Sequence, residues 1–354
     1  MTILNYAVKS SPSPPELKTP GVRKDQEDHS LLPGAPDVRH LFNPLLGSWL
    51  DFRKTLSPKH AHVWRDIAMC AGMMVCAFTL HLFITLHFGN AVGLIWGVPF
   101  AIWIGFWLHS ILTFGHEAAH FNVCSDHTRN DLFSDWTIWL FFPQSTKTYR
   151  KIHWQHHLHL GDLEDTEISY HNCLSPWFLA KALTGIYLME LAGRYFFRRS
   201  NAKPSPMNFA RGIPLYRALV THFGFVGVAI LLHCYATAVV WLAAAALIFP
   251  FWQTLRQVLE HRAGSAKCST DFRQVQHGPI NRIFEGGFFS RYYGAAGFNR
   301  HLLHHWDPTV SYTRFNEMEA FFNCTTLAGE LRASRSTYFA TFILLLGQSF
   351  RDPS

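Results

Sequence analysis

Three short runs of this 354-residue chain gather imidazoles at spacings that suit one side of a helix. They are His116-Glu117-Ala118-Ala119-His120, His153-Trp154-Gln155-His156-His157 and His301-Leu302-Leu303-His304-His305. Residues three and four apart on a helix are neighbours, so each run offers two or three rings in one direction. A further ring, His261, follows a long apolar stretch. Neutral imidazole suits iron, and it leaves a bound metal positively charged and reactive towards O2. Thiolates in the same place would themselves be oxidised. The candidate ligands His116, His120, His153, His156, His157, His261, His301, His304 and His305 suffice for two iron ions, with oxygen from water in the remaining positions.

Other polar residues around these runs have weaker claims. Asp162, Glu164, Asp165 and Glu167 follow the second run. They form either a solvated acidic loop or, through Asp162 or Asp165, an acceptor for a ligand imidazole N–H that fixes its tautomer. Glu117 carries the same two readings. Gln257 stands one turn before His261 and is a candidate to face the metals through water. His109 shares the stripe of His116 deeper in the apolar stretch and reads as a buried, hydrogen-bonded histidine. His159 leaves the helical face of the second run. His81, His87, His222 and His233 read as structural.

The elements that must position these groups are apolar. Hydrophobic residues make up 49% of the chain and charged residues only 16%, against about 25% charged in soluble domains. No Lys, Arg, Asp or Glu occurs from Ile67 to His116 or from Ala218 to Leu255. Each stretch is too long for one span of about 20 residues and suits two. The spacing predicts helices at 67–86 and 91–114 around a turn at His87-Phe88-Gly89-Asn90, and at 218–234 and 237–256. All Lys and Arg flank these pairs on one side, which the positive-inside rule makes the cytosol. Both termini and all the histidine runs then face the cytosol. The net charge of +7 is accounted for by topology and anionic headgroups, without nucleic acid.

The expected fold is an all-α integral membrane protein. Four transmembrane helices form two hairpins, with a cytosolic helical cap holding the histidines. Leu132–Phe142 is expected to lie in the interface, and Leu174–Phe197 and Phe339–Leu346 to be interfacial or re-entrant. Residues 1–44 read as a disordered cytosolic tail without a signal peptide, 45–330 as the membrane domain and 331–354 as a cytosolic or interfacial segment. The scattered cysteines Cys70, Cys76, Cys124, Cys173, Cys234, Cys268 and Cys324 read as free thiols in a reducing compartment.

The pattern HEAAH, HWQHH, HLLHH, with Glu260-His261 after the fourth apolar segment, resembles the membrane fatty acid desaturase family over roughly Trp64 to Arg314. The resemblance implies a non-haem di-iron site above a stem of four helices, with a narrow tunnel for a lipid chain. It implies O2-dependent desaturation of a fatty-acyl or related chain, with hydroxylation by the same site as the alternative. The chain shows no haem-binding HPGG, ferredoxin-like cysteine run or GxGxxG, so electrons are expected from a separate ferredoxin, rubredoxin or cytochrome. Two rival classes stay in view. HEAAH also fits the HExxH of a zinc protease, with Glu117 as base, and a histidine-rich chain can carry metal ions. The protease reading leaves HWQHH and HLLHH unexplained, and transporter sites lie near the bilayer midplane, whereas these runs lie outside the expected spans.

Overall fold

The computed structural model describes residues 36–186, 189–190 and 212–351. Most of the described chain is helical. Four helices are long and apolar enough to cross a membrane: α2 (His60–Ile95), α3 (Gly97–Ala119), α7 (Ile213–Leu231) and α8 (Tyr235–His261). Shorter helices among the described residues are α1 (Trp49–Arg53), α4 (His127–Thr137), α5 (Thr146–His159), α6 (Pro176–Leu183), α9 (Gly287–Tyr293), α10 (His301–Trp306), α11 (Phe315–Phe322), α12 (Ala328–Ala333) and α13 (Tyr338–Arg351). Two minimal sheets pair Phe42–Asn43 with Gly47–Ser48, antiparallel, and Ile283–Phe284 with Arg335–Ser336, parallel.

The long helices run further than the apolar stretches predict. α2 starts at His60 and α8 continues to His261, because their polar ends stay helical beyond what hydropathy marks. The backbone leaves the helical region inside α2 only at Gly89 (φ 84°, ψ 165°), within the expected turn. A side chain is rarely tolerated at that φ. Beyond the turn, the buried His81 ring reaches Gly93 O with Nε2 (3.0 Å) and Thr237 Oγ1 with Nδ1 (2.9 Å). Residues 244–248 of α8 form a π-helical stretch just before Pro250, which relieves the ring of a proline inside a helix. This stretch meets α3 at Gly105, where a Cβ would lie 2.6 Å from Ile248 Cγ2.

One apolar core joins α2, α3, α7 and α8 through Met74, Phe78, Ile104, Leu108, Ala229 and Trp241. A second surrounds α10, where Leu302, Leu303 and Trp306 meet Trp49, Phe321 and Phe322. Trp49 Nε1 donates to Asp307 Oδ2 (3.0 Å), so the N-terminal segment clamps the end of the third histidine run. Residues 36–44 are therefore ordered and not part of a tail: Val38 and Asn43 are buried. Residues 1–35 lie outside the described residues.

Leu132–Phe142 divides between α4, which exposes Leu132, Phe133 and Trp136, and a 3-10 turn whose Trp139 and Phe141 enter the core. Of Leu174–Phe197, the described part holds α6, whose eight residues are too few to span. α13 has 14 residues and is also too short. One expectation is overturned. Cys173 and Cys268 form a disulfide, with Cα atoms 5.0 Å apart, so the cysteines are not all free thiols. The pair is remote in sequence, and only the fold brings its members together. Cys70, Cys76, Cys124, Cys234 and Cys324 are free.

Candidate metal centre

The last turn of α3 carries His116 and places His120 at its cap. α5 starts at Ser145, whose hydroxyl accepts from Thr148 N–H, and brings His153, His156 and His157 to its C-terminal half. α8 ends on His261, and α10 consists almost wholly of the third run. The four elements converge. His116, His120, His153, His157 and His304 form one nest, and His156, His261, His301 and His305 a second; within each nest the candidate ligand atoms lie within 4.8 Å of one another. All nine sequence candidates are thus brought together, and even His120, the most open of them, exposes only 9% of its surface.

The ring nitrogens face inwards at short range. In the first nest His304 Nε2 lies 2.8 Å from Nε2 of both His116 and His157, and His157 Nε2 lies 3.0 Å from His153 Nε2. In the second, His301 Nε2 is 3.1 Å from Nε2 of His261 and of His305. A ring nitrogen sits ~2.1 Å from a bound transition-metal ion, so neighbouring ligands at right angles stand ~3 Å apart. The spacing fits a metal ion in each nest. Burial first, and neighbouring imidazoles second, hold His153, His157, His301, His304 and His305 well below the usual histidine pKa. They are neutral, with lone pairs to offer.

His156 differs. Burial alone would lower its pKa, but the charges of Asp165 and Glu167 outweigh that and push it up to about 9. Its Nδ1–H donates to Asp165 Oδ1 (2.8 Å). Asp165 Oδ2 in turn accepts from Tyr170 O–H (2.5 Å), and its Oδ1 also accepts from Glu167 N–H (2.8 Å). A metal bound at Nε2 would displace the extra proton. His261 Nδ1–H donates to Ile280 O (2.9 Å).

Of the two acidic candidates, Asp165 therefore touches a nest histidine. Asp162 instead accepts from His159 Nδ1–H (3.0 Å), and His159 belongs to neither nest. Gln257 Nε2 donates to Glu167 Oε2 (3.0 Å) and lies outside both groups of candidate ligands. Glu117 Oε2 accepts from Ser311 O–H (2.8 Å). His109 is buried, with Nε2 donating to Tyr293 O (3.0 Å).

Sequence reasoning missed the groups between the nests. The Phe298 ring lies 4.6 Å from that of His116 and 4.8 Å from that of His301, one ring of each nest. The Arg256 guanidinium covers Phe298 at 3.8 Å and pairs with buried Glu260. The i, i+4 spacing of Arg256 and Glu260 was a readable signal; Phe298 and Tyr170 gave none.

Four candidate membrane-crossing helices, with nests of buried imidazole that could hold metal ions at the ends of two of them, define an integral membrane protein with a polyhistidine cluster. The chain belongs to the fatty acid desaturase family, whose model matches residues 94–321 and takes in every one of the nine histidines. It is an oxidoreductase of that generally iron-dependent family. No curated protein and no solved structure matches the chain.

Proposed function

We propose that the chain is an O2-dependent desaturase of an aliphatic lipid chain, with one iron ion in each histidine nest. The observation that carries this reading is the division of nine buried imidazoles into a group of five and a group of four. Bound iron would supply the redox chemistry needed to take hydrogen from an unactivated CH2 group. The chain's own residues do the rest. Burial keeps the rings neutral, Asp165 and Ile280 O fix the orientation of His156 and His261, and Phe298 fills the space between one ring of each nest.

Desaturation consumes O2, two electrons and two protons and yields a carbon–carbon double bond and two waters. Hydroxylation at the same site leaves one oxygen on the chain and gives one water. Electrons come from a separate ferredoxin, rubredoxin or cytochrome. Five rings in one nest exceed the three protein ligands of a catalytic zinc site. Transport sites lie near the bilayer midplane, whereas these nests stand at helix ends.

α2 with α3, and α7 with α8, form two membrane hairpins, with the nests and both termini on the cytosolic side. The absence of Lys and Arg from 67–127 and 218–255 supports that orientation. The Cys173–Cys268 bond runs against it, because cytosolic thiols are kept reduced. Labelling of single-cysteine variants at Cys324 in sealed vesicles with a membrane-impermeant maleimide decides the side.

Metal analysis of the purified protein is expected to give two irons per chain. Lipids of a host expressing it, compared with one expressing His156→Ala, are expected to lack two hydrogens on one chain. A gain of one oxygen instead would mark hydroxylation. One zinc per chain, or no O2-dependent change in lipid, would overturn the proposal.

A further inference from the structure

A cavity of about 320 Å³ opens beside the nests, between the start of α2, α9, and the segments around 294–300 and 312–316. Its wall holds three guanidiniums, Arg65, Arg291 and Arg300, against one carboxylate, Asp66. Asp66 is already engaged, by Arg65 at 2.7 Å and by Tyr312 O–H at 3.0 Å. Arg300 is paired with Glu319 at 3.4 Å. Arg291 is exposed, lies over the Tyr292 ring at 5.6 Å and makes no ion pair among the described residues. The rim is thus cationic, and one of its charges has no carboxylate partner among the described residues.

The floor is apolar and close to the metal centre. It includes buried Phe114, two residues before His116, and Ala296 and Gly297, which run directly into Phe298. Ala296 is held at φ 52°, a backbone conformation that costs free energy for a residue with a Cβ. α9 carries the exposed rings of Phe288 and Phe289 one turn before Arg291. Apolar rings followed by a guanidinium on one short helix suit the boundary between acyl chains and headgroups.

We propose that this cavity binds the anionic, phosphate- or carboxylate-bearing headgroup of the lipid whose chain is oxidised, with Arg291 as the principal contact and Arg65 and Arg300 completing the field. The assignment rests on the desaturase reading and narrows it to amphiphiles with a charged head, excluding neutral hydrocarbons and alcohols. Arg291 acts on substrate placement and touches neither nest.

The test uses the full chain in a neutral maltoside detergent, with hexadecyl phosphate, hexadecanol and inorganic phosphate as separate probes, read by tryptophan fluorescence. Hexadecyl phosphate is expected to bind at least about tenfold more tightly than either other probe, the scale of one charge-assisted contact. Arg291→Ala is expected to lose that preference and Arg291→Lys to keep part of it. Arg129→Ala, an exposed change away from the cavity, is expected to keep it whole. Iron content and melting temperature of each variant report whether it folds. Equal binding of hexadecanol, equal binding of inorganic phosphate, or an unchanged preference in Arg291→Ala overturns the proposal. Binding needs no turnover, so its failure leaves the redox reading standing, and loss of the redox reading leaves the binding result standing.

Discussion

The two nests hold their rings by different means. In the second, His156 and His261 each donate Nδ1–H to a protein oxygen, that of Asp165 or Ile280, while Nδ1 of His301 has no hydrogen-bond partner among the described residues. In the first, Nδ1 of His116, His153, His157 and His304 has no hydrogen-bond partner among the described residues. Packing orients those rings instead: Tyr149 stacks on His153 at 5.5 Å, and Trp154 lies 5.3 Å from His120 and 5.5 Å from His157. The first nest has more rings and fewer hydrogen-bonded supports; the second has fewer rings, two of them anchored through Nδ1. An outer acceptor raises ligand basicity and fixes the tautomer. Tolerance to loss of a ring and tolerance to loss of a support should therefore be opposite in the two nests.

The largest effect is expected from removing a ring where there are fewest. His261→Ala should leave about one iron per chain by metal analysis, consistent with one metal in each nest, and reduce lipid product to background. His120→Ala removes the most exposed ring of the larger nest. It should retain both irons with metal affinity lowered by roughly tenfold. If both variants lose the same metal, the nests are not independent.

Next in size is Asp165→Asn. It keeps the shape and removes the charge that holds His156, and should lower affinity at the second nest about 10–100-fold, seen as loss of one iron under chelator titration. Tyr170→Phe removes the O–H that Asp165 accepts and, with it, the acceptor of Gly161 N–H (3.0 Å), and should weaken the same site about threefold to tenfold. The smallest effect is expected at Asp162→Asn, because Asp162 pairs with His159 outside both nests. A change there as large as at Asp165 would break the assignment of supports.

Much of this arrangement was legible from histidine spacing, but the allocation of rings was not drawn from it. Adjacent residues on an α-helix point about 100° apart. A His-His doublet therefore cannot aim both rings at one point. His156 and His157 go to different nests, as do His304 and His305, while HEAAH has no doublet and serves one nest alone. The doublets are what make α5 and α10 bridge the two groups.

The candidate spans were legible as charge-free stretches. Their ends were not, because helix continues through polar residues such as His60-Ala61-His62 that hydropathy scores as outside. The choice between Asp162 and Asp165 depended on how the loop after α5 folds back. Tyr170 and Phe298 act only through contacts between remote segments. The Cys173–Cys268 bond spans 95 residues and had no spacing to announce it.

Gly105 has a longer reach than its size suggests. α3 and α8 touch where it lacks a side chain, and each helix then runs on as a lever arm, to His116 roughly 16 Å away at 1.5 Å per residue and to His261 at the end of α8. The relative placement of His116 and His261, one ring of each nest, is thus calibrated by a missing methyl group well inside the stem. A change of bulk there would push α3 from α8 at Ile248 and shift His116 relative to His261.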